Sequence, residues 1–274
     1  MCVLNFAPFI KPDIHMLNCF TKKKVKVFIP QPCFQDDCFL VSFPRSGVTW
    51  LSFMLAHCHS YQSGLNIPVT FYNLTRLIPD VMDSPNIRPE PLQFPGFRII
   101  KSHSGFDRTY RNIIYLLRDP LESLGSYHNY LGSLNHFEGS LEDFINNKRY
   151  GLKAWINHVE GWLLQSSPSQ RIMVVRYDDL QKDALKEISR IYSLFGLTLD
   201  PEVGAASVFS HDLQKMRELE SQFRENNPIY KTKFNGNFIR KSESSVVTEL
   251  LDKSVWVNLA APYRERLLKL GFTL

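Results

Sequence analysis

The sequence predicts a single α/β domain built on a central, mainly parallel sheet with helices on both faces. Three observations carry that reading. Short apolar runs alternate along the chain with helical patterns, the signature of repeated strand–helix units. One run, 112–117, is almost wholly apolar, as expected of a parallel strand covered on both sides. The first run ends in a tight turn with Pro44, Ser46 and Gly47 and passes directly into a helix.

The elements follow in order. Residues 1–35 are irregular, with Pro8, Pro12, Pro30 and Pro32 as breakers, and the domain proper spans 36–274. Residues 38–43 form the first buried strand, and 48–59 a helix with Leu51, Met54, Leu55 and Cys58 on one face. Residues 62–96 read as loops around a short helix near 71–77. Strands follow at 97–101 and 112–117. A helix over 119–130 opens on Asp119-Pro120, with proline in the first turn. Residues 151–165 are amphipathic, with Trp155, Val159 and Trp162 on one face, and read as core. A fourth strand covers 171–176, and a helix over 179–195 closes at Gly196. Residues 198–245 are mixed and polar. A last helix spans about 246–270, with a break at Pro262.

Composition narrows the function. Apolar residues make up 44% and charged residues 22% of the chain, ordinary for a globular protein. A net charge of +5 fits a polyanionic small molecule and does not call for nucleic acid. Lys22-Lys23-Lys24 is too short for a polybasic arm. No stretch approaches the roughly 18 apolar residues of a membrane span, and 1–20 reads as neither signal peptide nor anchor. The expectation is a cytoplasmic protein. Five cysteines, Cys2, Cys19, Cys33, Cys38 and Cys58, all lie early in a large chain, which argues against a disulfide framework. Cys33, Cys38, His57 and His59 match no common zinc spacing, so no metal is expected.

In parallel α/β folds the ligand lies beyond the C-terminal ends of the strands. The first strand end carries Arg45, Ser46, Gly47, Val48, Thr49 and Trp50. A loop of this kind aims backbone N–H groups and a helix N-terminus at an anion. Aligned on Gly47 and Thr49, the Walker A pattern would place its lysine at Val48, so the cation that serves an NTP is missing. The second strand end carries Lys101 and His103, the third Arg118 and, two helical turns on, Ser126, and the fourth Tyr177. His103 is the residue suited to general base work near neutral pH. Each element alone also has a plain structural reading. Lys101 and His103 would end a strand at the surface, Arg118-Asp119 would cap a helix, and Tyr177 would border the core. What the four strand ends share is chemistry suited to an anion.

The order of motifs resembles the sulfotransferases that use 3′-phosphoadenosine 5′-phosphosulfate. Phe43-Pro-Arg-Ser-Gly-Val-Thr-Trp50 is similar to their 5′-phosphosulfate loop. Ile100-Lys-Ser-His103 is similar to the segment bearing the catalytic histidine. Tyr115-Leu-Leu-Arg118-Asp-Pro with Ser126 is similar to the 3′-phosphate motif. Trp155-Ile-Asn-His-Val-Glu-Gly-Trp162, Val175-Arg-Tyr177-Asp-Asp-Leu and Phe238-Ile-Arg240-Lys241 extend the match to residue 241. Two departures stand out: Val48 replaces a usual hydroxyl, and Ser242 replaces the glycine after Arg240-Lys241. With the lack of a match to the short C-terminal dimer motif of the animal cytosolic enzymes, they point to a bacterial or otherwise divergent member rather than an animal detoxifying enzyme.

The resemblance implies a P-loop-like sulfotransferase fold and sulfuryl transfer to a hydroxyl or amine of a small-molecule, lipid or carbohydrate acceptor, without a metal. It implies that His103 takes the acceptor's proton while Arg45 and Lys101 neutralise the leaving group. Ser46, Gly47, Val48 and Thr49 would hold the 5′-phosphate, and Arg118 and Ser126 the 3′-phosphate with help from Arg240 and Lys241. Trp50 and Tyr177 would contact adenine. A small-molecule kinase and a non-catalytic nucleotide-binding module are the competing readings. Phe71, Tyr72, Phe106 and Phe223 suit an aromatic or lipid-like acceptor, whereas Arg108, Arg217 and Arg224 suit a sugar or an acid.

Overall fold

A computed structural model describes residues 34–81, 97–165, 167–227, 239 and 251–274. Four strands, β1 (Cys38–Ser42), β2 (Ile99–Ser102), β3 (Asn112–Leu117) and β4 (Arg171–Arg176), form one sheet in the order β2-β1-β3-β4. All three pairings are parallel, with Leu40 opposite both Lys101 and Ile114, and Leu117 opposite Arg176. Parallel pairing needs a crossover between neighbours, and that is why the strands alternate with helices in sequence. It also brings all four C-terminal strand ends to one edge.

The strands are two-faced. Phe39, Val41, Ile113, Tyr115 and Leu117 point into one core with Leu124, Tyr127, Trp155 and Trp162. Cys38, Leu40, Ile114 and Leu116 point into the other with Leu51, Met54, Leu55 and Ile188. The alternation is the period of two that a strand imposes. On the first face lie α3 (Pro120–Ser133), α4 (Leu141–Asn146) and α5 (Leu152–Leu164). On the second lie α1 (Val48–Gln62) and α7 (Ala184–Leu194).

Helix starts follow local chemistry. Asp119 precedes Pro120 and accepts from the N–H groups of Leu121 and Glu122, which fixes the start of α3. The strands at 112–117 and 171–176 sit where the sequence places them. The helix expected over 179–195 is two helices, α6 (Tyr177–Lys182) and α7. Asp183 separates them, because its side chain caps the Lys186 N–H and its backbone leaves the helical region. The polar stretch after 198 contains α8 (Pro201–Ser210) and α9 (Leu213–Glu225), capped by Asp200 and Asp212. The short α2 (Leu74–Leu77) is trimmed from the expected 71–77. The expected final helix is α10 (Lys253–Ala260), a 3₁₀ turn (Ala261–Tyr263) holding Pro262, and α11 (Arg264–Lys269). Its first residues, 246–250, lie outside the described residues, as do most of 1–35.

The α4 helix was not evident from periodicity, but Ser140-x-x-Asp143 forms a reciprocal capping box. Ser140→Ala removes one half of it. The expected cost is about 1 kcal/mol, read as a fall in Tm of roughly 2–4 °C in thermal unfolding.

Candidate active site

The turn between β1 and α1 begins with two residues in the left-handed region, Arg45 at φ 69° and Gly47 at φ 94°. Such alternation turns successive N–H groups toward one point, a concavity that favours anions. The first turn of α1 has no side-chain cap and no acidic residue, so its N–H groups and the positive end of its dipole face the same space. Ser46 closes the turn from inside, donating its hydroxyl to the Phe43 carbonyl at 2.9 Å. Gly47 is required twice over. A Cβ there would lie 2.5 Å from Cε2 of Tyr177, in addition to the unfavourable φ.

Tyr177 thus acts as a floor under the loop, and Arg118 lies over its ring at 4.2 Å. Arg118 donates through Nε to Glu122 at 3.0 Å and through Nη1 to the Arg45 carbonyl at 3.3 Å. Arg45 in turn donates through Nε to the Ser126 hydroxyl at 3.3 Å and rests over the Tyr130 ring at 4.9 Å. The β1, β3 and β4 ends therefore meet in one cluster, as the sequence anticipates for Arg45, Arg118, Ser126 and Tyr177. Asp119 has the capping role of the plain structural reading, but Arg118 pairs with Glu122 and not with Asp119.

Three expectations change in detail. Val48 is 3% exposed and packs in the second core, so only its backbone N–H remains for an anion. A lysine at this position would bury an ammonium among apolar side chains, which disfavours a Walker-type site. Tyr177 is buried beneath Gly47 and Arg118, while Trp50 meets it edge-on at 6.0 Å and donates Nε1–H to the His211 carbonyl at 2.7 Å. Trp50 lines a cavity of about 440 Å³ together with apolar side chains such as Leu180 and Leu213 and with the charged Lys182, Asp183 and Asp212. Lys101 is paired with Asp80 at 2.9 Å, and both are almost fully buried. Thr49 stands half-exposed in the first turn of α1. Arg240 and Lys241 lie outside the described residues.

His103 follows β2 and is 1% exposed. Its Nδ1 lies 2.9 Å from the Ser42 carbonyl, so Nδ1 carries the proton and Nε2 is the basic atom. Burial pushes its pKa down to about 4. The charges of Lys101 and, less, Arg45 act in the same sense, while Asp80 and the Ser42 carbonyl oppose them. The imidazole is neutral at pH 7, but it is a weaker base than the sequence suggests.

The sequence reading left the supports of His103 unassigned. Trp162 donates Nε1–H to the Ser104 carbonyl at 3.0 Å, so this core tryptophan also fixes the loop after β2. Gly161 lets that loop approach α5, since a Cβ would lie 3.2 Å from Cβ of Phe106. His158, whose pKa burial pushes down to about 3, lies against the same loop and meets the Tyr115 hydroxyl at 2.8 Å. The W-x-x-H-V-x-x-W spacing was the available signal for this helix. Asp80 had no signal in the sequence, because its approach to Lys101 depends on tertiary pairing.

The fold and strand-end loop define an α/β protein of the phosphate-binding-loop class. A family model described as sulfotransferase domain matches residues 35–267. The chain belongs to that family and is a sulfotransferase. It is 25% identical over 224 residues to amine sulfotransferase of Oryctolagus cuniculus, covering 75% of this chain and 72% of the relative. It is 23% identical over 228 residues to sulfotransferase 1C2 of Rattus norvegicus, covering 71% and 69%. A solved retinol dehydratase, in complex with retinol and PAP, shares the fold with a TM-score of 0.65 at 18% identity, covering 86% of this chain and 82% of that one. Among the described residues, no helix is long and apolar enough to cross a membrane.

Two outcomes are expected. Gly47→Ala forces the loop off Tyr177 and should lower both Tm and anion affinity; the strain of a left-handed alanine alone is about 1–2 kcal/mol. Acidification should destabilise the fold. His59, His103 and His211 are held near 4 and His158 near 3, each chiefly by burial. The folded state keeps them neutral, whereas the unfolded chain binds protons below about 6.5. Their contribution is complete above that pH and is lost as pH falls toward 4. Between pH 7 and pH 5, Tm should fall on the order of 10 °C, measured by calorimetry.

Proposed function

We propose that this sulfotransferase moves a sulfuryl group from 3′-phosphoadenosine 5′-phosphosulfate to a hydroxyl or amine, with His103 as general base. The observation that carries the reading is the Arg45–Ser126 contact at 3.3 Å, beside Arg118. It joins the loop and α1 N-terminus to a second candidate anion position, made by Arg118 just after β3 and Ser126 on α3. One ligand can then present two separate phosphates, one to the loop and one to Arg118 and Ser126. A ligand with a single polyphosphate chain would not need the second position.

The loop N–H groups of Ser46, Gly47 and Val48, with the Thr49 hydroxyl, would bind the 5′-phosphate. The cavity beside Trp50 would take the adenine, with Trp50 rather than Tyr177 as its aromatic neighbour. In the reaction the acceptor oxygen or nitrogen forms a bond to sulfur as the bond from sulfur to the 5′-phosphate oxygen breaks. The acceptor's proton passes to Nε2 of His103, and adenosine 3′,5′-bisphosphate leaves. Arg45 and Lys101 would balance the charge that grows on the leaving phosphate, so the step requires no metal. The bound anion would also favour the protonated imidazole and so raise the low basicity of His103. Arg240 and Lys241 would assist at the 3′-phosphate.

An apolar or aromatic small molecule is the acceptor class we propose, on the strength of one aromatic group. Phe71 and Tyr72 gather on Phe223 with ring separations of 5.6 and 4.7 Å, and Phe53 joins Phe71 at 4.8 Å. Phe106 stands apart from this group, edge-on to Trp162 at 5.4 Å. We place the enzyme in the cytoplasm.

Incubation with radiolabelled sulfuryl donor and a panel of phenols, alcohols and amines tests the reading. A labelled acceptor is expected. Phosphorylation from Mg²⁺-ATP would reassign the chain as a kinase, and tight nucleotide binding with no product would make it a binding module. His103→Ala should lower turnover by about 10²–10⁴-fold; unchanged turnover would remove His103 from the chemistry. Arg118→Ala should weaken bisphosphate binding by about 1.5–3 kcal/mol, measured by titration calorimetry.

A further inference from the structure

Asp80 lies in a stretch that the sequence presents as loop, yet it is placed with care. Pro79, Asp80 and Val81 dock along the outer edge of β2. The Lys101 N–H donates to the Pro79 carbonyl at 2.7 Å, and the Val81 N–H donates to the Lys101 carbonyl at 3.0 Å. Asp80 is bridged to Lys101 in parallel register, as if it were one residue of a further strand. Leu77, Ile78 and Val81 anchor the segment in the cores. The Asp80 side chain is thereby delivered beside that of Lys101, with Oδ2 2.9 Å from Nζ and side-chain exposures of 5% and 10%.

A buried ammonium on a flexible stem costs stability unless a fixed anion compensates it. Here the anion is fixed by backbone pairing on both sides of it. Lys101 lies near the end of β2 and His103 follows that strand directly, two residues on. The His103 imidazole senses both Lys101 and Asp80, so the pair lies within electrostatic reach of the basic atom.

Resting on the sulfuryl-transfer reading, we propose that Asp80 is a positioning residue of the reaction. Its carboxylate holds the Lys101 ammonium at the end of β2, where Lys101 meets the group in transfer. A carboxylate that merely staples residues 79–81 to the sheet would act on stability and would act equally whether or not Lys101 carries a charge.

A double-mutant cycle separates the two. Wild type, Asp80→Asn, Lys101→Met and the double variant are compared for kcat, donor KM and calorimetric affinity for adenosine 3′,5′-bisphosphate. Asp80→Asn is expected to lower kcat about 10- to 100-fold while bisphosphate affinity changes less than about 3-fold. In the Lys101→Met background the same change should alter kcat by less than about 3-fold. An equal loss in both backgrounds, or no loss in kcat with Lys101 present, overturns the proposal. Should Asp80→Asn fail to fold by circular dichroism, Asp80→Glu enters the same cycle, since it keeps the charge and displaces it by one methylene. A kcat loss confined to the Lys101 background then supports the proposal, and an equal or absent loss overturns it. A wild-type chain that neither binds the bisphosphate nor transfers sulfuryl overturns this inference together with the reading beneath it. An active wild type whose Asp80 variants keep their kcat overturns this inference alone.

Discussion

The contact between Gly47 and the ring of Tyr177 holds the rest of the site in place. A hydrogen in place of a side chain lets the loop after β1 lie directly on an aromatic ring from the end of β4. Arg118, from the end of β3, then stacks over that ring and donates to the carbonyl of Arg45. Three strand ends are locked together through one tyrosine. The parallel sheet brings these ends to the same edge, but only close packing sets the loop N–H groups and the two arginines at fixed separations.

Around that contact the protein concentrates positive charge, and at the end of β2 it keeps the buried His103 imidazole neutral. Arg45 and Arg118 are held by a hydroxyl, a carboxylate, a carbonyl and aromatic faces, so an incoming anion meets side chains that are already ordered. Lys101 is compensated by Asp80 within the protein interior. His103 is held neutral chiefly by burial, with Lys101 and Arg45 acting in the same sense and Asp80 against them, and its tautomer is set by the Ser42 carbonyl. The burial that orders the imidazole also depresses its basicity. Under the proposed function, a bound polyanion would offset that by adding negative charge near the imidazole. Basicity and donor occupancy would then be coupled by simple electrostatics.

Much of this was legible in the sequence where the signal is local. The nearly continuous apolar run of β3, the Asp119-Pro120 helix start and the Pro-Arg-Ser-Gly turn each report their own structure. Strand-end placement then named Arg45, His103, Arg118, Ser126 and Tyr177 as neighbours. Sequence reasoning did less well where a side chain answers to distant parts of the chain. Asp183 divides one expected helix into two by capping, without a glycine or proline to announce it. Helices α8 and α9 open on Asp200-Pro201 and Asp212, signals that are present but sit in a stretch too polar to stand out. Tyr177 packs its ring against Gly47, a contact set by the tertiary approach of the β1 and β4 ends. Val48 became core because α1 turns its side chain inward.

The central claim is that one cluster recognises two phosphates set apart on a nucleoside. Titration calorimetry of the wild-type chain with adenosine 3′,5′-bisphosphate, AMP and Mg²⁺-ATP tests it most directly. Micromolar binding of the bisphosphate, with AMP weaker by tenfold or more and no gain from Mg²⁺-ATP, is the expected result. Equal affinity for the bisphosphate and AMP, or a preference for Mg²⁺-ATP, would contradict the account.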